Sequence, residues 1–197
     1  MNNQNLKRMT AIALLMGLVV IMQMISAIIP PVSGFTISLV LIPIVLGAAL
    51  YGPATGALLG GTFGVIVVMN CVTGADIGGQ MVFQANPILC ILVVLGKGIL
   101  AGMASGIVYK LTSKFASGYV AMLCAAIVCP VVNTGVFIAC MLTIFPEVIG
   151  AWASSVGADI VTYLFSFLLL LNFVPELIIN MCFSPAGQRI IKIVEKK

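Results

Sequence analysis

Apolar residues in this chain come in long, nearly uninterrupted blocks. Hydrophobic residues make up 62% of the 197 and charged residues 7%, where a soluble domain carries about 25% charged residues. Mean hydropathy is +1.27. A soluble globule clothes its surface with polar groups, and this chain has too few of them. A cytosolic enzyme, a secreted disulfide module and a disordered tail are therefore excluded. A transmembrane β-barrel alternates polar and apolar residues, which unbroken blocks do not. The sequence predicts an all-α integral membrane protein, one domain over 1–197.

A crossing helix needs about 20 apolar residues. Six candidates follow, over about 9–29, 37–50, 54–69, 88–111, 119–145 and 159–183. The first stops at Pro30-Pro31, has no small-x-small cleavage site after it, and is read as a retained helix rather than a signal peptide. The second and third are short and meet at Tyr51-Gly52-Pro53, a strong turn signal. Gly47, Gly52, Gly56, Gly60, Gly61 and Gly64 crowd this region, and small residues let helix backbones approach closely. Polar connections are expected over 70–87 and 147–158, a basic one over 112–118, and a stop at Ser184-Pro185.

The charges order this count. With six crossings, Lys7, Arg8, Lys110, Lys114, Arg189, Lys192, Lys196 and Lys197 fall on one side. The other side holds Asp76, Glu147 and Asp159 and no Lys or Arg. This positive-inside pattern makes both termini cytoplasmic. The same placement at helix ends explains the net charge of +4 without a nucleic-acid partner.

Chemistry-bearing residues are few. There is no His, which removes His-assisted nucleophiles, His-ligated zinc and His-ligated haem. The six Cys show no C-x-x-C pair and read as small packing residues. No cofactor or metal is implied. Gly96-Lys97 lacks the upstream Gly and the following Ser or Thr of a phosphate-binding loop, and Ser105 lacks the G-x-S-x-G frame. The chain has no means of hydrolysing ATP and no catalytic constellation.

Ionisable residues within a membrane are costly and default to functional hypotheses. Lys97, in the fourth helix, and Glu176, in the sixth, are the two such residues. They either pair with each other, as buried charges usually do, or Lys97 faces a substrate cavity. Asn133, Asn172 and Asn180 are intramembrane amides that bond across helices or to a ligand. Pro130, just before Asn133-Thr134, can open the fifth helix locally. Gln80, Gln84 and Asn86, with Trp152, sit in the connections on the acidic side, where they are either simply solvated or form a rim that captures a small polar ring.

Four segments resemble the substrate-binding S component of energy-coupling factor (ECF) vitamin transporters. Lys7-Arg8-Met9 followed by 10–17 is similar to that family's opening helix, with its small-x-x-x-small motif at Ala13 and Gly17. The turn 42–53, with Gly56 and Gly60, looks like the second-to-third helix turn. Gly96-Lys97-Gly98 with Gly102, Gly106 and Tyr109 resembles the fourth helix. Val132-Asn133-Thr134 and Asn172, Glu176 and Asn180 resemble the fifth and sixth. Gly17 stands where the family often has Ala.

The resemblance implies a non-enzymatic binding subunit of an ABC-type importer in the bacterial cell membrane. Its first helix would meet a transmembrane coupling protein, the T component, at Ala13 and Gly17, and two cytosolic ATPases would drive the complex. A water-soluble vitamin would sit in the outer half, against Lys97, Asn133, Asn172, Glu176, Gln80, Gln84, Asn86 and Trp152. The family's scaffold serves riboflavin, pantothenate, folate, biotin and thiamine alike, so fold does not choose among them. A buried cation favours an anionic vitamin such as pantothenate. The alternative is a free-standing secondary carrier or channel, which would need inverted repeats and midplane carboxylates.

Overall fold

A computed structural model describes residues 3–28 and 38–195. The described residues form helices and their connections, with no strand. In order these are α1 (Asn3–Ile28), α2 (Leu41–Tyr51), α3 (Pro53–Thr73), α4 (Ile77–Ala85), α5 (Pro87–Thr112), α6 (Gly118–Thr143), α7 (Pro146–Ser155) and α8 (Ile160–Tyr163). A π-helical stretch, Leu164–Phe173, then leads into α9 (Val174–Glu195). Among the described residues, five stretches are long and apolar enough to cross a membrane: Asn5–Ser26, Pro53–Thr73, Pro87–Thr112, Gly118–Thr143 and Ile160–Val194. Leu41–Tyr51 is a shorter apolar helix. Its 11 residues rise about 16 Å, roughly half the hydrocarbon thickness. The expected helix end at Ile29, the Pro30-Pro31 stop, the start of the second helix at Ile37 and the tail Lys196-Lys197 lie outside the described residues.

Three expectations are corrected. The polar connection over 70–87 is largely helical: α3 runs on to Thr73, and Asp76 then starts α4 by accepting a hydrogen bond from Gly79 N at 2.9 Å, an N-cap that offsets the unmet donors of a first turn. The connection over 147–158 is mostly α7, opened by Pro146 at its first position, where a missing N–H costs nothing. The last helix does not stop at Ser184-Pro185 but continues to Glu195. Pro185 cannot donate to the carbonyl of Met181, and the Ser184 hydroxyl donates to that carbonyl instead at 2.8 Å. The substitute bond lets the helix pass through the proline.

Glycines set the tightest contact, between α3 and α5. A Cβ at Gly60 would overlap the Gly98 carbonyl, and one at Gly98 the Gly60 carbonyl; Gly56 and Gly102 are reciprocal in the same way. Each helix thus presents glycines four residues apart, and the two backbones touch where any side chain would hold them off. Gly52, with φ 93°, makes the sharp turn from α2 into α3, a conformation glycine adopts without strain.

Contacts at the two ends separate the charges. At one end Arg8 Nη2 donates to the Tyr51 carbonyl at 3.3 Å. Tyr109 Oη donates to Gln188 Oε1 at 3.3 Å, and Lys192 Nζ lies 4.5 Å from the Tyr119 ring centre. That end gathers Arg8, Lys110 and Lys192. At the other end α4 meets α7 through Trp152 Nε1 and Met81 Sδ, 3.2 Å apart, and the residues there include Asp76 and Glu147.

Candidate functional site

Beneath α4, a cavity of about 90 Å³ lies among α1, α3, α5, α6 and the last helix. The bundle interior around it is apolar, with Phe63, Val67, Val93 and Val94 on its wall. Into this lining project Lys97 from α5, Asn133 and Thr134 from α6, Asn172 from the π-helical stretch, Glu176 from α9 and Gln23 from α1. Asp76, the N-cap of α4, and Gly79 within α4 close the acidic end.

The glycine seam decides where Lys97 sits. Gly98 is clamped against Gly60 of α3, so the neighbouring Lys97 is held at a fixed height. Its ammonium lies 4.7 Å from the Phe137 ring centre and 6.0 Å from that of Phe63. Aromatic faces attract a cation, by about 2 kcal/mol when it is desolvated, without neutralising it. Phe137 in turn stacks on Trp152 at 6.4 Å. Trp152 continues to Tyr163 at 6.5 Å and Tyr163 to Phe167 at 5.4 Å. An aromatic ladder therefore links the cavity wall to α7, α8 and the π-helical stretch.

Of the sequence-derived candidates, Lys97, Asn133, Asn172 and Glu176 are brought together in this cavity. Lys97 is within electrostatic reach of Asp76 and of Glu176, yet it forms no ion pair with either among the described residues. Glu176 is 2% exposed, and its Oε1 has no hydrogen-bond partner. Gln80, Gln84, Asn86 and Trp152 are not on the cavity wall. On α4 the inward residues are Gly79 and Val82. Gln80 and Gln84, one turn apart on a different stripe, point elsewhere: Gln80 packs against Gly74 and Gln84 is exposed. Asn86 Oδ1 accepts from Leu89 N at 3.1 Å, capping α5. It borders a second cavity, of about 320 Å³, between the α4–α5 and α6–α7 turns, with Phe145, Pro146 and Glu147. Trp152 is buried behind Phe137. Ala13 and Gly17 lie on the exposed side of α1, and a Cβ at Gly17 would meet nothing within 4 Å.

Sequence reasoning missed Gln23, Ser38, Asp76 and the two thiols Cys71 and Cys90, all on the cavity wall. Gln23 was findable, because it is an amide in the middle of an apolar helix, the same signal that singled out Asn133. Cys71 and Cys90 carry no such signal; they are free, buried thiols on α3 and α5.

The arrangement suits reversible capture of a small polar molecule. It offers a cation, carboxylates, several amides and aromatic faces within an apolar bundle. The family model described as "ECF transporter, substrate-specific component" matches residues 7–185 of this chain. No curated protein and no solved structure matches it.

Proposed function

The chain belongs to the substrate-specific components of ECF transporters, and on that premise we propose that it binds a water-soluble vitamin or related micronutrient in the cavity around Lys97. An anionic vitamin such as pantothenate is the favoured ligand. The observation that carries this is the state of Lys97: an ammonium on the wall of a buried cavity, held against Phe63 and Phe137, with no ion pair among the described residues. Asp76 and Glu176 border the same cavity and attract Lys97 across it without pairing with it. An intramembrane charge is expensive, and a ligand carboxylate in direct contact would compensate it more fully.

Around that contact, Asn133, Asn172 and Glu176 complete the polar lining. Gln80, Gln84, Asn86 and Trp152 act at the rim, through α4, α7 and the turns between them. Six crossings with both termini in the cytoplasm fit the separation of charges between the two ends, with α2 in the second crossing. The exposed face of α1 at Ala13 and Gly17 would dock on a transmembrane coupling protein, and two cytosolic ATPases would supply the energy. The members of this family are transport subunits rather than enzymes. We place the complex in the bacterial plasma membrane.

Lys97→Met tests the assignment, because it keeps much of the stem and removes the charge. If a ligand carboxylate meets Lys97, affinity for pantothenate should fall about tenfold to a hundredfold, the effect of losing a charged hydrogen bond worth about 1.5–3 kcal/mol. The thermal transition of the unliganded protein should hold or rise. Unchanged affinity with a lowered transition would mean that Lys97 is structural.

A further inference from the structure

An anion at Lys97 leaves most of the cavity's polarity unexplained. Among the described residues, four buried side-chain oxygens have no hydrogen-bond partner: Gln23 Oε1, Asn133 Oδ1, Asn172 Oδ1 and Glu176 Oε1. They come from four different segments, and all four residues line this one cavity. An acceptor buried without a donor costs about 1–3 kcal/mol. Two other buried polar side chains in the helices have partners, one within its own helix and one across to a neighbour. Asn180 Nδ2 donates to the Glu176 carbonyl at 2.9 Å, and Ser105 Oγ donates to the Ala125 carbonyl at 3.2 Å. The unmet acceptors are confined to the place where a ligand would sit. An amide can rotate to offer N–H in place of oxygen, and a protonated carboxyl can donate one O–H, but each of these groups keeps one oxygen that only accepts, so a demand for donors survives either choice.

We infer that the ligand is two-ended: a small carboxylate whose remainder carries at least two O–H or N–H donors, the carboxylate meeting Lys97 and the donors meeting Glu176 and the amides of Asn172, Asn133 and Gln23. This rests on the cavity being the site of an anionic vitamin. Some 90 Å³ is room for several water molecules at about 10–15 Å³ each. A ligand that displaces those waters has to replace their hydrogen bonds or lose affinity. A carboxylate without donors would strip the acceptors of water and give nothing back. A donor-rich molecule without an anion would leave Lys97 with no anion in direct contact, only the two aromatic rings and the more distant Asp76 and Glu176. Sites built to hydrogen-bond a substrate O–H or N–H reject analogues lacking it by as much as about 10⁴-fold.

The test is calorimetric titration of the full chain in lipid nanodiscs with three sets of vitamins. Pantothenate and biotin combine a carboxylate with O–H or N–H donors; nicotinate and lipoate have the carboxylate without donors; thiamine, pyridoxine and riboflavin have donors without a carboxylate. A member of the first set should bind at least about 100-fold more tightly than any of the others. Tightest binding by nicotinate or lipoate would overturn the two-ended ligand and leave the anionic reading standing. Tightest binding by the third set, or no binding by any of the seven, would overturn both. With the tighter of pantothenate and biotin, Glu176→Leu should cost at least tenfold in affinity while the protein stays monodisperse. An unchanged affinity would show that Glu176 receives no ligand donor and would sink the inference, whatever Lys97→Met does.

Discussion

Adding one methyl group to the α3–α5 seam should have the opposite effect to adding it at open positions of α5 and α6. At Gly60 and Gly102 a Cβ would run into the backbone carbonyls of Gly98 and Gly56. A backbone oxygen cannot swing aside as a flexible side chain can, so the helices have to part along the seam. Overpacking of this kind costs about 1–3 kcal/mol, against which alanine's helix propensity returns up to about 1 kcal/mol. Each substitution should therefore destabilise by up to about 2 kcal/mol. At Gly96 and Gly135 the same Cβ would meet nothing within 4 Å. There the propensity term acts unopposed and alanine should stabilise by up to about 1 kcal/mol. The assay is equilibrium unfolding in mixed micelles, monitored by circular dichroism, on the four single variants. Because Lys97 neighbours Gly98, the seam variants should also weaken ligand binding. Equal shifts at seam and open positions would refute close backbone contact as the principle holding these two helices.

Three further outcomes follow from the placement of residues. An impermeant maleimide on intact cells should label Glu147→Cys and not Lys114→Cys, both exposed positions, in a background without the native cysteines; the reverse pattern would invert the orientation. Trp at Ala13 and Gly17 should abolish assembly with the coupling protein and leave detergent-phase ligand affinity within about twofold, because Gly17 opens onto empty space; loss of binding as well would mean that this face packs internally. The Asp159 carboxyl is held below its usual range, first by the Thr162 hydroxyl and then by backbone N–H groups. A carboxyl lowered in the folded state contributes stability that is present above its ordinary value, about 3.9, and is lost as pH falls through the lowered one. Thermal stability should decline in that acid window, and Asp159→Ala should flatten the decline.

Much of the architecture is legible because a membrane limits the options. Helix type follows from apolar blocks, and the ends of the long helices from Gly52, Pro53 and Pro87. What stays hidden is local hydrogen-bond satisfaction. A run such as Asp76-Ile77-Gly78-Gly79 reads as a loop from its glycines. It is nevertheless the start of a helix, because the Asp76 carboxylate takes up the Gly79 N–H. Ser184-Pro185 reads as a stop, and becomes passable through one hydroxyl bonded to the Met181 carbonyl. Composition is silent on both bonds, since each depends on where a single oxygen points.

The same distinction governs the candidate site. Read as letters, Asn133, Asn172 and Asn180 are equivalent intramembrane amides, and Lys97 and Glu176 are an obvious pair. In the folded chain they part company. Asn180 spends its Nδ2 on its own helix, whereas Asn133 and Asn172 keep buried oxygens without partners. Lys97 rests on aromatic rings rather than on Glu176. Gln23, in the first helix, joins them from the far end of the sequence. Natural chains break the rule that buried polar groups are satisfied chiefly at functional sites. Among the described residues, every buried side-chain oxygen that breaks it borders one cavity. Helix glue would have scattered such groups along the interfaces and paired them there, so their convergence favours ligand capture.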